Sequence, residues 1–337
     1  MKILIIKLGA TGDVIRTTSI LPGLKEKYRN PDIFWVTKEY PAQLLNNNQF
    51  IHQVVLIDKN EEIEKLKKEE FDLVISLDED QESCKLASEI KSKEIIGAYI
   101  KNNERVYTKN SSEWFDMGLI SIYGKEKADQ LKKQNKKTYQ EIICNILKIK
   151  NSKPILNLSE ESLKFAENFK KSNNIGNNLI IGLNTSAGKR WQLKKLSAEK
   201  TIELAKKINQ KFKATILLFG GPEEKERNKK IKQALKEKII DTGTGNSLLE
   251  LASLINLCNI LITSDSLALN IGVALNKNVI AFFGPTSYNE IDIYDKGKKL
   301  FPKMDCLVCY KKKCDITPHC MEKIDMNEFV KVIDELI

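Results

Sequence analysis

Lys2-Ile-Leu-Ile-Ile6, running into Lys7-Leu-Gly-Ala-Thr-Gly-Asp13 and then Val14-Ile-Arg-Thr-Thr-Ser-Ile-Leu-Pro-Gly-Leu-Lys25, is the stretch that decides the fold. Ile3 to Ile6 reads as a first strand. Val14, Thr17, Thr18, Leu21 and Leu24 then recur at helical spacing, predicting a helix from about Asp13 to Lys27. Gly9 and Gly12 allow the connecting backbone a path that a side chain would obstruct.

Working outward, short apolar runs keep alternating with longer amphipathic ones, as expected of parallel sheets wound with helices. Further strands are expected at Ile33 to Thr37, Val54 to Ile57, Leu73 to Leu77 and Glu94 to Gly97. Lys101 to Lys137, with Tyr107, Trp114, Phe115 and Tyr123, reads as an excursion from the sheet, and helical spacing resumes to Leu147. The polar run Lys171-Ser-Asn-Asn-Ile-Gly-Asn-Asn178 has the composition of a linker. Beyond it the pattern restarts, with strands at Leu179 to Leu183, Ala214 to Phe219, Asn259 to Thr263 and Val279 to Phe283. Helices are expected at Ala198 to Lys211 and Glu223 to Lys238, and Ser247 and Glu250 have capping-box spacing. The fold class is therefore α/β, with two Rossmann-like doubly wound domains facing a cleft. They are expected at 1–172 and 178–321, the terminal helix 322–337 packing back on the first. Ligands of such sheets bind beyond the carboxyl ends of strands.

Length and composition agree. A chain of 337 residues, 42% apolar and 30% charged, is globular rather than fibrous or disordered and large enough to fold without disulfides or metal. Its net charge of +10 suits anionic partners, or only a solvated lysine-rich surface. Lys7 interrupts the first apolar run far short of a secretion signal, and no run approaches a membrane span. The expected location is cytoplasmic, with peripheral contact at the inner face of the membrane. Seven cysteines in such a chain are expected as thiols.

The Gly9-x-x-Gly12 loop has neither the spacing of a dinucleotide fingerprint nor the ending of a P-loop. Asp13 either serves the helix start, favoured there by the helix dipole, or faces the cleft as a general base. Lys189 and Arg190 follow a strand and could neutralise a departing diphosphate, or stand as exposed cations.

These residues resemble a family. Gly9 to Lys25, Asn184-Thr-Ser-Ala-Gly-Lys-Arg-Trp191, Phe219-Gly-Gly-Pro-Glu-Glu224, Thr263-Ser-Asp-Ser266 and Phe282-Phe-Gly-Pro-Thr286 are similar, in order and approximate spacing, to the motifs of glycosyltransferase family 9, the ADP-heptose:lipopolysaccharide heptosyltransferases. The resemblance implies a GT-B fold and inverting, metal-independent transfer of a heptose or related sugar from a nucleotide donor. The implied acceptor is a cell-envelope glycan or glycolipid such as the lipopolysaccharide core. It assigns Asp13 as base, with Gly12, Arg16 and Trp114 on the acceptor side. The donor side would be Thr185, Lys189, Arg190, Gly220, Gly221, Glu223, Ser264, Asp265, Ser266 and Asn270. The chain departs from the family where Leu267 replaces a glycine and Asn270 a histidine, which leaves a catalytically silent nucleotide-sugar-binding protein as the alternative. A nucleic-acid binder would rest on charge alone and is not expected.

Three further features remain. Asp78-Glu-Asp80 contains an Asp-x-Asp, read as solvated carboxylates or acceptor contacts rather than as a metal site. Cys306, Cys309, Cys314 and Cys320 could hold a structural zinc ion or iron–sulfur cluster, or be packed thiols. No cofactor is required for catalysis on this reading. Trp114, Phe115, Tyr123 and the neighbouring lysines form either an acceptor-binding or membrane-facing lobe, or that lobe's own core.

Overall fold

The computed structural model describes residues 1–188, 191–236 and 238–337. Two compact units divide the chain: Met1–Asn157 with Asn289–Asp292, and Leu158–Tyr288 with Ile293–Ile337.

The first unit contains β1 (Lys2–Ile6), β2 (Asp32–Thr37), β3 (Gln53–Leu56), the two-residue β4 (Glu70–Phe71), β5 (Leu73–Ser76), the two-residue β6 (Lys91–Ser92), β7 (Ile95–Lys101) and β8 (Glu104–Tyr107). Six of these form one sheet in the order β3-β2-β1-β5-β7-β8. It is parallel except for β8, which returns antiparallel to β7. Part of the expected excursion is thus an edge strand. Alternate β1 residues face opposite layers: Ile3 and Ile5 pack with Leu21, Leu24 and Ile142, while Leu4 and Ile6 pack with Val36, Leu66 and Leu86. A strand buried on both faces must be continuously apolar, which is why Ile3 to Ile6 is.

The expected helix after β1 is three pieces: Thr11–Thr17, a 3-10 turn Thr18–Ile20, and Leu21–Lys27. Pro22 supplies no N–H and its ring crowds the carbonyl four residues back, so one continuous α-helix cannot pass through it.

The second unit repeats the plan with β9 (Leu179–Asn184), β10 (Ala214–Phe219), β11 (Ile240–Asp241), β12 (Ile260–Ser264), β13 (Asn278–Phe282) and β14 (Gly297–Leu300). Their order is β11-β10-β9-β12-β13-β14, parallel throughout. The capping box of Ser247 and Glu250 opens the helix Leu248–Asn256.

The division of the chain corrects the expected boundaries. The helix Glu160–Ser172 belongs to the second unit, where it packs on the helix Leu248–Asn256, so the Asn-rich run 171–178 is an internal loop. The terminal helix Met326–Leu336 does not return to the first unit. Met326, Phe329, Val332 and Ile333 form its apolar stripe and are buried against Ile280, Phe282 and Leu300 of the second sheet. The segment that joins the first unit is instead Asn289–Asp292, where the Tyr139 N–H donates to the Glu290 carbonyl at 3.0 Å. Among the described residues no helix is long and apolar enough to cross a membrane.

Candidate functional site

In an open parallel sheet the strand order reverses at one place, and the loops on either side diverge to leave a ligand crevice. That place lies between β1 and β5 in the first unit and between β9 and β12 in the second. The sequence-predicted residues concentrate after β1, β9 and β12, with Gly220, Gly221 and Glu223 after β10 and Trp114 on the helix Ser112–Phe115.

In the first unit, Asp13 occupies the first turn of the helix Thr11–Thr17, with no side-chain cap on that helix. Its carboxylate, about a third exposed, meets the Arg16 guanidinium at 3.2 Å. Arg16 is nearly buried because it stacks on aromatic rings: its Cζ lies 3.9 Å from the Tyr139 ring centroid and 5.9 Å from that of Trp114. Trp114 and Tyr139 pack edge to face at 4.9 Å. The Tyr139 hydroxyl lies 2.8 Å from that of Thr17, which donates to the Asp13 carbonyl. Asp13, Arg16, Trp114 and Tyr139 are therefore one assembly, and burial pushes the Tyr139 hydroxyl above its ordinary pKa.

The adjoining loop after β5 holds this assembly's base. Asp78 is buried and accepts the N–H groups of Leu8 and Gly9, the latter at 2.8 Å, while pairing with buried Lys7. Burial opposes the Lys7 charge, but Asp78, with Tyr139 and Asp13 nearby, together more than offset it, so the ammonium sits above the usual lysine range. A Cβ on Gly9 would come 2.8 Å from Asp78 Oδ1, so only glycine permits this approach. Glu79 accepts the N–H groups of Leu119 and Ile120, and Asp80 caps the helix Gln81–Glu89 through the N–H of Ser83 at 3.0 Å. The expectation of solvated or acceptor-binding carboxylates is corrected: all three hold backbone.

In the second unit, Asn184 at the end of β9 donates to Thr263 Oγ1 at 2.9 Å and to Ser266 Oγ at 3.2 Å, tying the two crevice-forming strands together. Thr185 is buried; its hydroxyl donates to the Phe219 carbonyl at 2.9 Å and lies 2.7 Å from the Asn228 amide. Ser264 is buried at the end of β12, and Ser266 stands as N-cap of the helix Leu267–Ala274. Asn270 turns its amide back to the Ser266 carbonyl at 3.1 Å. Lys194 Nζ meets the Asp265 carboxylate at 2.6 Å, and Lys195 pairs with Glu224. Gly220 and Gly221 form the turn after β10, and Glu224 accepts the Gly221 N–H at 3.0 Å. A Cβ on Gly220 would fall 2.6 Å from Asn228 Nδ2. Glu224, not Glu223, is thus the buried carboxylate of this turn. Lys189 and Arg190 lie outside the described residues.

Sequence reasoning missed Asp78 as an anchor, placed Asn184 and Glu224 within motifs while giving Asn184 no role and preferring Glu223 to Glu224, and missed Tyr139, Lys194, Lys195 and Asn228 altogether. Only Glu224 carried a local signal, since it stands three residues after Gly221, close enough for its carboxylate to reach back to that N–H.

Of the two readings of the four cysteines, the metal site finds no support. Cys314 is exposed and Cys320 buried, and among the described residues no group of three or more His, Cys, Asp or Glu is gathered to hold a metal ion. Of the aromatic lobe, Phe115 is fully buried and Trp114 packs on Arg16 and Tyr139, while Tyr123 is exposed.

Two doubly wound units, each with polar side chains gathered at its strand-order reversal, form an architecture that glycosyltransferases share. The family model for glycosyltransferase family 9 (heptosyltransferase) matches residues 61–319. The chain belongs to that family. A lipooligosaccharide heptosyltransferase 2 of Campylobacter jejuni is 28% identical over 168 residues, which cover 47% of this chain and 51% of that protein. The chain thus spans about half the length of the curated relatives it matches. Among solved structures, a family 9 glycosyl transferase of Veillonella parvula superposes with a TM-score of 0.81 at 21% identity, covering 99% of this chain and 96% of that one. The E. coli ADP-heptose lps heptosyltransferase II gives 0.69 at 18% identity, covering 100% and 98%. At these identities the likeness is one of fold.

Proposed function

We propose that the protein is an inverting, metal-independent glycosyltransferase that moves a heptose from ADP-heptose to a lipopolysaccharide-core acceptor. Asp13 takes the proton of the acceptor hydroxyl as that oxygen forms its bond to the anomeric carbon. The bond from that carbon to the diphosphate oxygen breaks on the opposite face, so the configuration inverts. The departing ADP carries the electron pair away, and Lys189, Arg190 and the N-terminus of the helix Leu267–Ala274 stabilise its growing charge, leaving catalysis no need of a metal. Arg16 orients Asp13, while Gly12 and Trp114 border the acceptor. Thr185, Ser264 and Asn184 shape the donor loops, and Asp265, Ser266, Asn270 and the Gly220-Gly221 turn border the nucleotide, with Glu223 at its rim. The enzyme works in the cytoplasm, in peripheral contact with the membrane that carries its acceptor.

The observation that carries this reading is the Asp13 carboxylate at the strand-order reversal, held by a guanidinium that itself rests on the Tyr139 ring with the Trp114 ring beside it. The test is the anomeric configuration of the product, read by NMR with ADP-heptose as donor. Inversion is expected, in the presence of a chelator as in its absence; retention contradicts the mechanism. In a thermal-shift panel, ADP is expected to raise the melting temperature more than UDP, GDP or CMP. Saturable donor binding with no turnover would favour the silent binding protein, the reading that Asn270 invites.

A further inference from the structure

Leu119, Ile122 and Tyr123 of the first unit are 81%, 76% and 56% exposed, and they fall within five consecutive residues. Their segment is built rather than loose. Glu79 accepts the N–H groups of Leu119 and, at 3.0 Å, Ile120; the Tyr107 hydroxyl accepts that of Ile122 at 3.2 Å. Tyr107 is itself fixed, donating to Asp116 and stacking on buried Phe115 at 5.4 Å. A Cβ on Gly118 would strike the Glu79 carboxylate, so this glycine lets the segment close on its anchor. Hydrogen bonds that hold large apolar side chains out in water gain nothing from burial, so the arrangement makes sense only with a partner that receives them.

Charge identifies the partner. The segment runs directly into the helix Gly124–Gln134, whose buried contact is Ala128. Lys125, Lys127, Lys133 and Lys136 are exposed on and just after it. From 119 to 136 there are five lysines (125, 127, 132, 133, 136) against Glu126 and Asp129, a surplus of three positive charges. Apolar tips beside lysines match the layering of an anionic leaflet, with phosphates outside and acyl chains beneath.

We propose that Leu119, Ile122 and Tyr123 enter the headgroup boundary of an anionic bilayer while the lysines of the following helix meet its phosphates. This deepens the membrane contact of the proposed function and rests on it. Vesicle binding is read without donor or acceptor, so its failure is separate from a failure of glycosyl transfer.

The experiment is co-sedimentation of the full chain with phosphatidylcholine vesicles, with and without about a third phosphatidylglycerol. Binding is expected only to the anionic vesicles and to fall with salt. Leu119→Ser/Ile122→Ser should weaken it about ten-fold or more, from the apolar transfer lost by two aliphatic side chains. Lys125→Glu/Lys127→Glu should weaken it without touching the apolar segment. Both variants should keep the wild-type melting temperature and turn over a soluble acceptor fragment at the wild-type rate. Equal vesicle binding by wild type and the serine variant overturns the proposal. So does a wild-type dimer, seen by light scattering, that the serine variant alone abolishes while vesicle binding is unchanged, because the patch then belongs to a second copy.

Discussion

Asp78 is the residue on which the first loop depends most. Replacing it with alanine leaves the Lys7 ammonium buried without a counter-ion, and removes the acceptor for the Leu8 and Gly9 N–H groups. Breaking one partner of a buried pair costs about 3–5 kcal/mol, to be read from urea unfolding. Asp78→Asn, which keeps an acceptor oxygen, should lose less. The sign of the pH dependence follows from Lys7. Its folded pKa lies above the unfolded value, so its contribution is complete below about pH 10 and is lost only as pH rises through the folded value. The contribution of Lys7 to wild-type stability should therefore be constant from about pH 6 to 9, whereas in Asp78→Ala burial without a counter-ion lowers the Lys7 pKa, so the cost of the variant should shrink as pH rises. A cost that grew with pH across that window would contradict the pairing. The thiols give a second residue-level prediction. Burial pushes Cys84 and Cys258 up to about 12 and Cys144 to about 11, whereas Cys314 is exposed. Iodoacetamide at about pH 8 should label Cys314 in the native protein and spare Cys84 and Cys258, as read by intact mass.

The elements show which parts of the architecture the sequence could announce. Runs such as Ile3 to Ile6 and Ala214 to Phe219 declare themselves because a doubly buried strand has no polar face. The spacing of Ser247 and Glu250 declares a helix start because both partners of the cap are local. Ser247→Ala should cost about 1 kcal/mol by chemical denaturation, as N-cap losses generally do. Asp78 and Asn184 are different. Their partners lie about 70 and 79 residues away in sequence, and they become visible only once the sheet order brings β1 beside β5 and β9 beside β12. Lys194 and Lys195 could not be told from other lysines of a lysine-rich chain, although their ion pairs hold Asp265 and Glu224. The continuous helix expected from Asp13 to Lys27 failed because periodicity survives a proline that hydrogen bonding does not.

For the molecule as a whole, two tandem sheets and the loops that matter were legible; the allotment of helices to units was not. An amphipathic helix advertises an apolar stripe without naming the sheet that covers it, which is why Glu160–Ser172 and Met326–Leu336 were both assigned to the wrong unit. A chain ending at residue 321 should accordingly lose the second unit's core. Limited proteolysis should then degrade the region from Leu158 onward, while the full chain resists. The central claim is that Asp13 abstracts the acceptor proton. Its most direct test is acceptor-dependent release of nucleoside diphosphate by Asp13→Asn, with donor binding followed in parallel by thermal shift. The account predicts that kcat falls about 10²-fold or more while donor binding and melting temperature stay at wild-type values. A variant that keeps kcat within a few-fold of wild type would contradict it.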